Sequence, residues 1–264
     1  MSTVFALLCL SGMLALAFSF PRKRVLKVDA FGEPWRTFLQ ERVHFYRELD
    51  ATGRERFEQE VLKFWSYCAI TGVQVEVNDE DRLLVAASAV IPIFSFPGWR
   101  YTNLDEVVLY PAMFNDRFET AGGERAILGQ VGSGVMSRKM LLSKPALHQG
   151  FQARNDGSNT GIHEFVHLID ARDGETDGLP KALLDRPYAI PWLRSVRQEM
   201  GRINAGRSDI RAYGGVSETE FLPVVSEYFF EKPEQLQRKH PELYAALERM
   251  FRPQAKGADL SGPA

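Results

Sequence analysis

The sequence predicts an α+β fold, with helices first, then a small sheet, then a helical C-terminal half carrying the residues of interest. Three observations lead there. Apolar side chains recur at helical spacing before residue 70. Short β-branched or alternating runs, cut off by turn residues, follow between 73 and 142. Helix-start signals and apolar periodicity then return from Asn159 onward.

Residues 35–46 place apolar side chains at 35, 38, 39, 43, 45 and 46, which predicts a helix. A second helix is expected over 53–70, with Phe57, Val61, Leu62, Phe64, Trp65 and Cys68 on its apolar face. Residues 73–77 alternate and predict a short strand, and 79–93 predict a helix with an alanine-rich buried face. Val107, Val108, Leu109 and Tyr110 precede Pro111 and read as a strand. Residues 135–142 read as another, either an ordinary buried strand or an edge strand on which an extended substrate could pair.

With 264 residues, the chain is long enough for one large domain or two small ones. It divides into an apolar segment at 1–24, a main domain at 25–253 and a flexible tail at 254–264. The formal net charge of −2 gives no electrostatic footprint for nucleic acid, so no such partner is expected. Two cysteines, Cys9 and Cys68, exclude a disulfide scaffold. They also leave any metal to be held by histidine and carboxylate.

Residues 4–20, VFALLCLSGMLALAFSF, are almost continuously apolar, and Arg22, Lys23 and Arg24 follow them. About 17 residues is the lower limit for a helix crossing a bilayer. The basic flank lies after the run, so the positive-inside rule places the rest of the chain in the cytoplasm, anchored to the inner membrane. The alternative is a cleaved signal ending near Ala15-Leu16-Ala17, which would make the protein exported.

His163, Glu164 and His167 form H-E-x-x-H, preceded by Asn159 and Thr160 as candidate helix caps. On a helix, positions i and i+4 share a face, so both imidazoles can reach one Zn2+. Glu164 projects beside the metal, where it can take a proton from water. His44, His148 and His240 have no ligand spacing to one another. A catalytic zinc needs a third protein ligand, and Asp170 and Asp173 stand where a longer histidine motif would continue. Glu218, Glu220 and Glu227 remain candidates, although Ser217 and Glu220 also fit a capping box. Asp170 is expected either to steady a ligand imidazole or to sit in a solvated turn.

The runs IHEFVHLIDARDGETDGLP, YGGVSETEF and SEYFFEKPEQL resemble the bacterial MtfA-type zinc peptidases of peptidase family M90. The spacing from Tyr213 to Glu220 is also similar to that in the anthrax lethal factor catalytic domain, a distant gluzincin relative. The likeness covers about residues 35–253 and is specific in the C-terminal half. It implies a gluzincin-like metallopeptidase domain, with zinc held by His163, His167 and Glu220. It further implies Glu164 as general base and Tyr213 as donor to the developing oxyanion. Members are linked to aminopeptidase-like activity and to binding a sugar-uptake repressor, the Mlc protein. The expected partners are therefore a peptide or protein substrate and a transcriptional repressor. The alternative function is a zinc-containing protein that sequesters such a regulator, with secondary peptidase activity. One departure from the family pattern is Pro223, which can kink the helix bearing Glu220.

Overall fold

The computed structural model describes residues 25, 26, 28, 30–112, 129–131, 138–152, 157–181, 183 and 186–253. The apolar run at 4–20 and the tail at 254–264 lie outside them, as do residues 135–137 of the expected strand. Among the described residues, no helix is long and apolar enough to cross a membrane.

The N-terminal helical stretch is two helices, α1 (Glu33–Arg42) and α2 (His44–Arg47). Between them Val43 is extended, at φ −110° and ψ 101°, and fully buried. Helix α3 (Ala51–Tyr67) is capped by Asp50, whose side chain accepts the Gly53 N–H at 2.7 Å. It ends sooner than the periodicity suggests, because Ala69–Gly72 leave the helix to form strand β1. The alternating run at 73–77 is therefore a turn and not a strand. Gln74 adopts φ +57°, a left-handed conformation that an extended run cannot contain. Helix α4 (Asp79–Ile93) starts on a complete capping box between Asn78 and Asp81.

Among the described residues, strands β2 (Glu106–Tyr110), β3 (Gly129–Val131) and β4 (Lys139–Ser143) complete a four-stranded sheet in the order β1-β2-β4-β3. The first three in that order are parallel, and β3 runs antiparallel to β4. Strand β4 is consequently interior, paired on both sides, which is the buried-strand alternative for this run; among the described residues β3 holds the edge next to it. Val107, Leu109, Met140 and Leu142 face the main core, while Val108, Tyr110 and Leu141 cluster on the opposite face. This alternation buries both faces of the two central strands.

Helix α5 (Lys144–Gly150) leads to α6 (Thr160–Asp170), which packs against α4 and α8 (Glu218–Glu231). Ile162, Phe165, Val166, Leu168 and Ile169 of α6 are essentially inaccessible. Each such burial contributes roughly 1.5–3 kcal/mol, so α6 is a rigid platform. Its approach to α4 is close: a Cβ on Gly161 would lie 2.1 Å from Ser88 Oγ. Helices α7 (Arg186–Asn204), α9 (Pro233–Lys239) and α10 (Pro241–Phe251) complete the helical C-terminal half.

Candidate metal centre

Asn159 caps α6, its side chain accepting the Ile162 N–H at 3.1 Å. One turn apart on that helix, His163 and His167 place their ring centroids 4.9 Å from each other. Both Nε2 atoms face Glu220 Oε2, at 3.1 Å from His163 and 3.4 Å from His167. Ligand atoms of these three residues all lie within 4.8 Å of one another.

Glu220 is free to point there because Ser217 does only half of a capping box. Its hydroxyl accepts the Glu220 N–H at 3.2 Å, while the Glu220 carboxylate turns to the histidines. Helix α8 begins at Glu218, which puts Pro223 in its interior. Pro223 cannot donate to the Thr219 carbonyl, yet Glu220 still reaches both imidazoles. The other two candidate glutamates go elsewhere. Glu218 pairs with Arg197 at 3.5 Å, and Glu227 accepts from His163 Nδ1 at 2.7 Å. Glu220 and Glu227 are seven residues apart, so they share a helix face and address the two nitrogens of one ring.

Glu227 is 1% exposed and is further held by the Arg211 guanidinium and the Asn159 N–H. Arg211 also donates to Ser158 Oγ at 3.1 Å. No local pattern points to Arg211, whereas the seven-residue spacing was a usable signal for Glu227.

Because a carboxylate only accepts, His163 Nδ1 must carry the proton it shares with Glu227. His163 Nε2 then offers a lone pair to another acceptor, Glu220 Oε2, at 3.1 Å. That contact is favourable only with a cation between them, either a second proton or a metal. The metal-free ring takes the proton: burial opposes its charge, but Glu220 and Glu227 outweigh that and raise its pKa to about 10. Glu220 is desolvated as well, yet the two imidazoles hold it well below the usual carboxylate range. Two imidazoles and one carboxylate, with a carboxylate behind one ring, suit a divalent metal with borderline-soft preferences.

Glu164 is buried beside them, and burial raises its carboxyl pKa against the pull of both histidines. It makes no hydrogen bond to another described residue. Tyr213 sits on a single 3-10 turn, Ala212–Gly215, with its ring 5.9 Å from that of His163 and half exposed. Burial and the neighbouring Glu220 and Glu164 charges push its hydroxyl up to about 12, so it remains a proton donor at neutral pH. Asp170 departs from expectation. Rather than holding a ligand ring or sitting in solvent, it is buried; its Oδ2 accepts the Gly178 N–H at 2.9 Å, and its Oδ1 has no hydrogen-bond partner among the described residues.

Residues 18–252 match the family model described as glucose-regulated metallo-peptidase M90. The chain belongs to this metallopeptidase family. The family implies a divalent metal, and the cluster on α6 and α8 offers a donor set for it. An uncharacterized protein of Synechocystis sp. is 27% identical over 94% of this chain and 96% of its own length. "Mlc titration factor A" of Klebsiella pneumoniae subsp. pneumoniae is 23% identical, covering 83% of this chain and 85% of its own. The protein of that name from Salmonella gallinarum is 29% identical over 70% of this chain and 72% of its own.

Proposed function

We propose that the protein is a zinc-dependent peptidase whose metal is held by His163, His167 and Glu220. The observation that carries this reading is the pair of imidazole Nε2 atoms converging on one Glu220 oxygen, with Glu227 fixing one ring from behind. Zinc bound there supplies the Lewis acidity that makes water nucleophilic at neutral pH. Glu164, buried and uncommitted, takes the proton from the attacking water and returns it to the leaving amine. Tyr213 donates its hydroxyl to the negative charge that develops on the scissile carbonyl oxygen. An extended substrate would pair along β3, the sheet edge packed beside α6.

Digestion of an unbiased peptide library by the zinc-loaded protein tests this reading, with Glu164→Gln as control. Cleavage by the native protein alone is expected; equal cleavage by both would refute the role of Glu164. Cleavage from a free N-terminus, as the family resemblance implies, belongs to the same proposal and is read from which bonds are cut.

The names of the enterobacterial relatives favour a second reading, in which the chain binds a transcriptional repressor. Repressor retention that survives Glu164→Gln would support it, and no retention by the native protein would contradict it. Residues 4–20 would hold the protein at the inner membrane, a proposal resting on the apolar run and its basic flank. Cell fractionation tests it, and recovery of a shortened, exported chain would replace it.

A further inference from the structure

Gly178 touches three elements around the metal centre. Its N–H donates at 2.9 Å to Asp170, the last residue of α6. Its carbonyl accepts the Trp192 indole N–H of α7 at 2.8 Å. Asp170 and Trp192 are 1% and 2% exposed, so both anchors are fixed. On its third side lies α8. A Cβ on Gly178 would stand 2.3 Å from the Glu218 carbonyl oxygen and 2.9 Å from the carbonyl carbon. Glu218 is the first residue of α8, two before Glu220.

We propose that Gly178 is a positioning residue that sets how closely the first turn of α8 approaches α6, and hence where Glu220 meets the two imidazoles. The inference rests on the metal-centre reading above. Its magnitude follows from contact distances. Carbon and oxygen settle at about 3.3 Å, so a side chain here forces a displacement of about 1 Å. A helix backbone carbonyl cannot swing aside as a flexible side chain does. Metal–ligand distances tolerate only about 0.2 Å. A displacement of this size therefore detaches or distorts the Glu220 contact while leaving the fold in place.

Gly174 supplies the control. It lies in the same loop and also has a positive φ, +94° against +74° at Gly178, but a Cβ there meets nothing within 4 Å. Ala at 174 adds backbone strain alone, whereas Ala at 178 adds strain and the collision with α8.

The experiment measures zinc affinity by chelator competition, and the visible spectrum after cobalt loading, on the full chain and its variants. Circular dichroism checks that each is folded. Gly178→Ala should bind zinc about 10–100-fold more weakly with an altered cobalt spectrum, and Gly174→Ala should stay within about twofold of native. Trp192→Phe removes the hydrogen bond to the Gly178 carbonyl, together with part of a buried ring that packs against Phe221, and should weaken binding by at least about threefold, which keeps the test open if Gly178→Ala does not fold. Native affinity and spectrum in a folded Gly178→Ala, or in Trp192→Phe should Gly178→Ala not fold, overturn the inference. So does an equal loss in Gly174→Ala. A native chain that binds no metal overturns the metal-centre reading itself, and this inference with it.

Discussion

Replacing Glu227 by Gln should weaken both the fold and the metal centre. The native carboxylate is buried and accepts from three donors. Oε1 takes His163 Nδ1 and Arg211, and Oε2 takes the Asn159 N–H. Glutamine has the same shape but only one acceptor oxygen. If that oxygen stays with His163 and Arg211, the amide NH2 faces the Asn159 N–H, donor against donor. A buried N–H left without an acceptor costs about 1–3 kcal/mol. The remaining bonds lose their charge assistance, and with it about half their strength. The Arg211 side chain is 38% exposed, so water compensates much of its share. The sum is about 2–4 kcal/mol of stability in metal-free protein, read from urea unfolding in chelator. Zinc affinity should fall about 10–100-fold, as when a group orienting a ligand is lost. Stability within about 0.5 kcal/mol and affinity within twofold of native would refute this account of Glu227.

Three further outcomes follow from the same geometry. Tyr213→Phe should bind zinc normally and lose about 10²–10³ in kcat, as removal of one oxyanion donor does; an unchanged kcat excludes that role. Burial raises the Asp170 carboxyl from 3.8 to about 6 in the metal-free fold. The folded state thus holds this proton more tightly than the unfolded chain, and the stability it confers is present below about pH 4 and lost as pH rises through 6. Asp170→Asn keeps an acceptor for the Gly178 N–H, so it should flatten that slope and exceed native stability above pH 6. Parallel urea midpoints for both proteins from pH 4 to 8 would contradict this. Gly161→Ala places a methyl against Ser88 and should cost about 1–3 kcal/mol in thermal unfolding. No loss would show that α4 and α6 have room to separate.

Features set by local chemistry were legible in the sequence. Helix α4 follows its apolar pattern from a capping box at Asn78. The H-E-x-x-H stretch is a single-helix motif, so its facing imidazoles follow from helical periodicity alone. Other features depend on distant neighbours. The alternation at 73–77 imitates a strand, but β1 lies at Ala69–Gly72, where the chain can pair with β2. Val43 breaks a periodic stretch because an extended residue there reaches the core. Residue chemistry leaves Glu218, Glu220 and Glu227 as candidates and the family resemblance singles out Glu220; the packing of α8 on α6 turns Glu220 to both imidazoles, Glu227 to the back of one ring and Glu218 to Arg197. Arg211 was invisible, since its partner Glu227 lies sixteen residues away on another element.

The account turns on one claim, that His163, His167 and Glu220 together hold the metal. Zinc content and affinity of the native protein and Glu220→Gln, measured side by side, test it most directly. The account predicts one tightly bound zinc per native chain and a marked loss of both content and affinity in the variant. Native content and affinity in Glu220→Gln would contradict it and remove Glu220 from the metal centre.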